Sequence, residues 1–267
     1  MQEAGLALLV FALLCASAGT GFFLRPRLPE HHRTRETTEL MQITIGLLAT
    51  FAAIVLGLLT ASVKQTYDNS AHDRQAYALR LGLLDQCLRD YGPDAAAARR
   101  QIHSYTAAVI ASTWPNEPSP TGVQYPSTDR MPRVGAAPAL AALMERIGLE
   151  IARLKPGDNL QQRVDAICLD RYHDVANARL SVIEDARSAL FEPFYQLLVL
   201  WLMIIFGCFG LVAPRNSLSV ITIMLCAVSL SSVIFVILDL SRPYAGLFGI
   251  PSSSMRNALA QMLAPVQ

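Results

Sequence analysis

Four long apolar stretches without a charged residue constrain the fold of this chain more than any other feature. They cover residues 5–24, 40–63, 194–213 and 218–238. A bilayer core is about 30 Å thick, and an α-helix needs about 20 apolar residues to cross it. The sequence therefore predicts an all-α protein with four transmembrane helices, two before and two after an extramembrane helical stalk domain.

The domain boundaries follow from these stretches. Residues 1–63 form the first transmembrane helix pair with a basic connector, and residues 64–192 form the stalk. Residues 193–240 form the second transmembrane hairpin, and residues 241–267 form a C-terminal tail. Apolar residues recur at helical spacing in the stalk, most clearly at Leu140, Leu143, Ile147, Ile151 and Leu154.

The tail contains a short amphipathic helix with Met255, Leu259, Met262 and Leu263 on one face. Such a helix suits the lipid–water interface, and it equally suits packing on the protein's own transmembrane helices. The sequence leaves both alternatives open.

The first apolar stretch admits a second interpretation, as a cleaved signal peptide ending near Ala16-Ser17-Ala18. A signal peptide begins with basic residues and has a shorter apolar region. The segment before this stretch contains neither Lys nor Arg, and the stretch itself is longer than usual. We therefore expect a retained transmembrane helix.

The charge distribution bears on partners and on orientation. The formal net charge is +1, and the stalk mixes both signs, which argues against a nucleic-acid partner. Short loops rich in Lys and Arg favour the cytoplasmic side. The two short connectors carry five arginines and the tail carries two, so we expect the stalk and both termini on the outer side of a bacterial inner membrane. The connector arginines are Arg25, Arg27, Arg33, Arg35 and Arg215.

Two cysteines of the stalk occupy matching positions. Cys87 follows the second apolar stretch by 24 residues, and Cys168 precedes the third by 26. Along continuous helices these separations are about 36 Å and about 39 Å. Facing helices would bring the two residues within disulfide distance in an oxidising compartment. Two buried thiols are the alternative.

Chemical motifs are sparse. Asp68 and His72 lie one helical turn apart, as do Asp170 and Asp174, with His173 beside them. A metal site needs three or four converging ligands, and no His-x-x-x-His or Cys-x-x-Cys spacing occurs. Neither a phosphate-binding loop nor a nucleophile motif is present. We therefore predict no enzyme activity, no catalytic residue, no metal and no cofactor.

Two places at the predicted membrane edge remain as candidate functional sites. Arg215 and Asn216 form the turn between the last two transmembrane helices, and Asp239 and Arg242 follow the last one. They would bind an anion or a lipid headgroup, or fix a gate. The structural alternative is a topology anchor at Arg215 and an i,i+3 ion pair between Asp239 and Arg242.

Several motifs resemble a bacterial family of bestrophin-like membrane proteins of unknown function, known as the DUF4239 domain. The matching segments are residues 88–93, 201–216, 238–247 and 255–259. Where the family has an acidic residue before the Arg-Pro pair, this chain has Ser241. The resemblance implies a relation to anion channels, and it also implies a cytoplasmic stalk, which conflicts with the charge count.

The predicted function combines these observations. The polar residues within the transmembrane stretches are all uncharged, which disfavours a proton-coupled carrier. A channel does not require charges, because hydrophobic constrictions can gate it. Small residues repeat along the second stretch at Ala49, Ala53, Gly57 and Ala61, a pattern that permits close helix packing. We predict an oligomeric, bestrophin-like channel; the alternative is a membrane scaffold or sensor whose stalk binds a protein partner.

Overall fold

The computed structural model describes residues 2–27, 29, 34–129, 131, 132, 134, 136–187, 192–214, 216–244 and 246–264. Eight α-helices occur in these ranges, and no β-strand does. The all-α prediction is confirmed. The helices are α1 (Gln2–Leu24), α2 (Arg35–Tyr91), α3 (Ala96–Thr113), α4 (Pro138–Ala152), α5 (Asn159–Arg187), α6 (Glu192–Val212), α7 (Ser217–Leu240) and α8 (Ser253–Leu263).

Helices α1, α2, α6 and α7 are each long and apolar enough to cross a membrane. Their most apolar segments have mean hydropathies of 2.2, 2.3, 2.2 and 2.7. The four transmembrane helices predicted from the sequence are therefore present. Helix α2 runs far beyond its uncharged stretch, because no proline interrupts residues 35–91. We treat residues 40–63 as its membrane-spanning part.

The chain divides into two compact units. The first unit comprises Met1–Tyr67 and Ala189–Phe248, and the second comprises Asp68–Ser188 and Gly249–Gln267. Helix α2 passes from the first unit into the second.

The first unit is organised around α1, which packs against both α6 and α7. Its core is formed by buried apolar side chains, including Leu14, Leu198, Phe206 and Ala227. Small residues let α1 and α6 approach closely. The Ser17 hydroxyl, for example, donates a 2.6 Å hydrogen bond to the Met203 carbonyl across this contact.

The second unit is a helical bundle in which α3 packs against α4 and α8, and α4 packs against α5. Helix α4 buries the stripe Leu140, Met144, Ile147 and Ile151, as expected for an amphipathic helix. Pro138 is the first residue of this helix. A backbone N–H at that position has no partner within the helix, so proline is tolerated there.

Helix α8 corrects both expectations for the C-terminal tail. Met255, Leu259 and Met262 are buried, and the helix packs on α3 of the second unit. The Trp114 indole N–H also donates a 2.8 Å hydrogen bond to the Ile250 carbonyl just before α8. These three side chains are therefore covered by protein of the second unit, whereas Leu263 on the same face is 40% exposed.

Candidate sites at the membrane edge and in the second unit

Asn216 caps the start of α7. Its side-chain oxygen accepts a 2.8 Å hydrogen bond from the Ser219 N–H, and its backbone is extended. This bond satisfies one of the N–H groups that a helix leaves unpaired at its N-terminus. The companion candidate Arg215 lies outside the described residues.

Arg25, which directly follows α1, contacts the end of α6 beside this cap. The Arg25 guanidinium donates a hydrogen bond to the Ala213 carbonyl, just beyond the last turn of α6. The Arg27 guanidinium lies 3.8 Å from the centre of the Phe23 ring. Cationic groups at a helix C-terminus interact favourably with its exposed carbonyls. These arginines therefore help to close the helix ends.

Asp239 organises the turn after α7. Its carboxylate is 3% exposed and accepts hydrogen bonds from the Leu247 N–H at 2.9 Å and the Phe248 N–H at 2.8 Å. Gly246 has a φ of 125° and lies directly against this carboxylate. The Arg242 side chain is exposed, and its backbone N–H donates to the Asp239 carbonyl at 3.1 Å.

Asn216 and Asp239 do not form one site. They lie at opposite ends of α7, which has 24 residues and is therefore about 36 Å long. Each holds a local turn through backbone N–H groups. Both residues thus make local hydrogen bonds at the ends of α7.

Cys87 of α2 and Cys168 of α5 are bonded partners in the structure. Their sulfur atoms are 2.08 Å apart, and their Cα atoms are 5.6 Å apart. Cys168 is fully buried and Cys87 is 9% exposed. The bridge joins segments separated by 81 residues. Cys15, Cys208 and Cys226 are unbridged and lie in transmembrane helices.

A buried ion cluster in the second unit was not found by sequence reasoning. The Asp85 carboxylate of α2 accepts hydrogen bonds from Arg89 at 3.1 Å, Arg99 at 3.0 Å and His103 at 2.8 Å. Its side chain is only 1% exposed, whereas those of the two arginines are 30% and 25% exposed. The carboxylate thus ties α2 to α3 through charged contacts.

The environment of Asp85 favours its ionised form. Burial raises the pKa of the carboxyl group, but hydrogen bonds from His103, Arg99 and Arg89 outweigh burial and hold its pKa below the usual value. A sequence signal did exist. Asp85 lies between Leu84 and Leu88 on a largely apolar helix, and Arg89 follows at i+4, the spacing of an ion pair.

A second buried polar contact joins the same two helices. The hydroxyls of Tyr77 and Tyr105 are 2.6 Å apart, and both rings are buried. Burial raises the pKa of each tyrosine. The fully buried Arg74 guanidinium lies 5.3 Å from the Trp114 ring centre, within cation–π distance.

A groove of about 560 Å³ separates α2 from α8 in the second unit. Its walls carry amide, hydroxyl and charged groups beside small and apolar residues. The lining residues include Gln75, Leu79, Gly82, Gln86, Asn257 and Gln261.

The acidic and histidine residues considered from the sequence do not converge. Asp68, His72, Asp170, His173 and Asp174 are exposed, and Asp174 lies 3.7 Å from Arg171. Among the described residues, no three His, Cys, Asp or Glu side chains form a group that could hold a metal ion. These residues belong to solvated helix faces.

The fold is that of a multi-pass helical membrane protein. The family model described as Bestrophin-like domain matches residues 10–255, so the chain belongs to the bestrophin-like family. The resemblance seen in the sequence is confirmed at this level. No curated protein matches the chain significantly.

Solved structures share the whole architecture at low sequence identity. A bacterial bestrophin homologue from Klebsiella pneumoniae with a tryptophan-to-alanine mutation is 12% identical, with a TM-score of 0.71 and coverage of 98% of this chain and 97% of that one. A form of the homologue with an isoleucine-to-threonine mutation is 12% identical, with a TM-score of 0.68 and coverage of 97% and 99%. At this identity the likeness establishes the fold.

Proposed function

We propose that this protein is a homo-oligomeric ion channel of a bacterial inner membrane, without enzyme activity, in which α2 lines a shared pore. Membership of the bestrophin-like family supports the channel class. The observation that carries the proposal is the poor burial of α2. The buried share of its most apolar segment is 11%, against 22–28% for the corresponding segments of α1, α6 and α7.

The open side of α2 has two adjoining stripes. One consists of small or short residues at helical spacing, namely Gly46, Thr50, Ala53, Gly57 and Ala61, all exposed. The other consists of large apolar residues that are 50–67% exposed, namely Leu47, Phe51, Ile54 and Leu58. A stripe of small residues suits close packing against another helix.

The large stripe suits the lumen of a pore. In this proposal, the small stripe packs against α2 of the next protomer, and Phe51 and its apolar neighbours form a hydrophobic constriction. Such a constriction gates by excluding water and needs no ionisable residue. The absence of charged residues from 40–63 is consistent with this mechanism.

Flux measurements on purified protein in liposomes test the channel. We expect ion flux from the native protein, and we expect Phe51→Ala to increase it by widening the constriction. Leu225→Ala is the matched control, because Leu225 is 63% exposed on α7 and outside the proposed lumen. Absence of anion and cation flux from an intact oligomer would overturn the proposal. Recovery of a specific stalk partner by crosslinking would then favour the scaffold or sensor alternative.

We further propose that the second unit lies on the outer side of the membrane and that Cys87 and Cys168 are bridged in the cell. The arginine-rich connectors support this orientation through the positive-inside rule. An outer, oxidising location also suits the disulfide geometry.

Cysteine accessibility in intact cells tests the orientation. A single cysteine replacing Thr34 in the connector should be protected from a membrane-impermeant thiol reagent, and one replacing Gln124 in the second unit should react. The background carries serine at the five native cysteines. The opposite pattern would place the second unit in the cytoplasm and contradict the proposal.

The membrane-edge residues are proposed to act structurally. Asn216 fixes the start of α7, and Asp239 fixes the turn after it, as their bonds to backbone N–H groups suggest. Arg215 is proposed as a topology anchor, and Arg242 as a cation at the membrane edge. Substituting Arg242→Gln should leave liposome flux within about twofold of the native value, whereas direct anion binding would require a larger loss.

A further inference from the structure

A groove of about 530 Å³ lies between α1 and α7 in the first unit. Its walls come from the last turns of α1 and the first turn of α7, namely Gly19, Phe22, Phe23, Asn216, Ser217 and Val220. Gly19 is exposed, and a Cβ atom there would meet no other atom within 4 Å, so the space above it is open. Because α1 ends at Leu24 and α7 begins at Ser217, the groove lies where both transmembrane helices reach the same edge of the membrane.

The end of the groove at the membrane edge carries a cation and hydrogen-bond donors. The Arg27 guanidinium lies 3.8 Å from the centre of the Phe23 ring, which forms part of the wall. The Asn216 side-chain oxygen is used by the cap at the start of α7, so its NH2 group remains as a donor. Ser217 is exposed beside it and adds a hydroxyl. No acidic residue occurs among the described residues that line the groove, so this end suits an anionic group.

The groove continues toward the bilayer centre along an apolar track. On α1 the track consists of exposed small residues at helical spacing, namely Ala12, Ala16 and Gly19. On α7 it is bordered by Val220 and Met224, which are 49% and 41% exposed. The Cys15 sulfur lies 3.5 Å from the Met224 sulfur, so the two helices stay in contact along the track. Residues 12–23 span about 16 Å, which is close to half of a bilayer core about 30 Å thick.

We propose that this groove binds one anionic phospholipid, with the lipid phosphate at Arg27 and Ser217 and an acyl chain along Gly19 and Val220. Donors and a cation lie at the membrane edge, and apolar side chains follow below them, as the two parts of such a lipid require. Basic pockets between transmembrane helices bind anionic headgroups in this way. The inference does not depend on ion conduction, and Asn216 keeps its capping role in it.

Charge complementarity favours a lipid over a second copy of the chain as the occupant. The four transmembrane stretches contain no acidic residue that a second copy would place opposite Arg27. A phospholipid instead joins a negative phosphate to apolar chains in one molecule. The α7 surface beside the groove is also apolar and open, since Leu218, Ile221 and Leu225 are 70%, 55% and 63% exposed.

Lipid binding to the purified full-length protein tests the site. In native mass spectrometry, dioleoylphosphatidylglycerol should bind about tenfold more tightly than dioleoylphosphatidylcholine, whose choline group cancels the phosphate charge. Arg27→Gln should reduce this preference to within about twofold, because the cation that pairs with the phosphate is gone. Arg35→Gln is the matched control, because Arg35 lies at the same edge but pairs with Glu39. It should keep the native preference. Equal losses in both variants, or no preference in the native protein, would overturn the inference.

Filling the groove provides a second measurement. Gly19→Leu has room within its own chain, so it should leave the melting temperature unchanged. It should weaken phosphatidylglycerol binding by about tenfold, because the added side chain occupies the place of the acyl chain. Gly5→Leu is the matched control, because a Cβ at Gly5 of the same helix also meets nothing within 4 Å. Unaltered binding by Gly19→Leu would contradict the proposed site.

Photocrosslinking identifies the occupant directly. Benzoylphenylalanine at position 220, in nanodiscs containing equal amounts of the two lipids, should give a lipid adduct enriched in phosphatidylglycerol. The same probe at position 225 lies on a different face of α7 and should label both lipids equally. A covalent protein dimer from position 220 would show that a second copy covers the groove. That result, or a position-220 adduct without phosphatidylglycerol enrichment, would overturn the inference.

Discussion

Gly210 of α6 lies against the backbone carbonyl of Ala18 in α1, and the space between them cannot hold a Cβ atom. Gly21 of α1 meets the carbonyl of Gly207 in the same way. The glycines of each helix thus leave space for the backbone of the other helix. Close backbone approach of this kind provides van der Waals packing in a bilayer, where helix association lacks a hydrophobic driving force.

The substitution Gly210→Ala should separate α1 from α6 and lower stability by about 2 kcal/mol, a typical cost of overpacking. Thermal unfolding in detergent measures the change. Gly19→Ala is the matched control, because a Cβ at Gly19 of α1 would meet nothing within 4 Å. Equal melting temperatures for the two variants would show that the close contact does not limit stability.

The bridge between Cys87 and Cys168 should stabilise the second unit. It closes a loop of 81 residues, and restricting a loop of this size in the unfolded chain is worth about 4 kcal/mol. A strong reductant should therefore lower the unfolding midpoint of the native protein.

The double variant Cys87→Ser, Cys168→Ser is the control for this prediction. It should melt at the lower temperature with or without the reductant. Equal midpoints for native protein and double variant without reductant would show that the bridge contributes nothing. A mass map under non-reducing conditions identifies the bridged state directly.

Replacing Asp85 should weaken the contact between α2 and α3. Asp85→Asn leaves the Arg99 and His103 side chains without the carboxylate that they contact, and we expect a loss of about 2 kcal/mol at pH 7. Chemical unfolding measures this loss. Asp90→Asn, at an exposed position on the same helix, should change stability by no more than about 0.5 kcal/mol.

The Asp85 contribution should also depend on pH. Because its pKa is lower in the folded protein than in the unfolded chain, the contribution is fully present above the unfolded pKa of about 3.9. It should be lost as the pH falls through the folded value. The difference in stability between native protein and Asp85→Asn should therefore shrink in strongly acidic solution. A difference that stays constant from about pH 7 to about pH 2 would contradict this assignment.

Much of the fold was predictable because transmembrane helices depend on length and apolar composition, which are properties of local sequence. Uncharged stretches of about 20 residues identified α1, α2, α6 and α7. The amphipathic stripe of α4 was also local. Asn216 and Asp239 were selected for their positions at the membrane edge, but the cap at Asn216 and the turn at Asp239 depend on backbone N–H groups whose placement the sequence does not reveal.

The long-range contacts were not predictable, because periodicity shows which face is buried and not what covers it. Met255, Leu259 and Met262 of α8 were expected against lipid or the transmembrane helices, and α3 covers them. The Asp85 cluster likewise joins residues 14 and 18 positions apart across a turn between helices. Only the Asp85–Arg89 spacing was visible in the sequence.

The turn after α7 should be sensitive to a single methyl group. Gly246→Ala introduces a Cβ that would lie 2.5 Å from the Asp239 carboxylate, at a backbone φ that residues other than glycine rarely adopt. We expect a loss of about 2 kcal/mol, and the Leu247 and Phe248 N–H groups should lose protection in hydrogen exchange. Gly122→Ala provides the control, because Gly122 also has a positive φ but no neighbour within 4 Å. If both variants lose the same stability, backbone strain alone explains the effect; a larger loss at Gly246 measures the contact with Asp239.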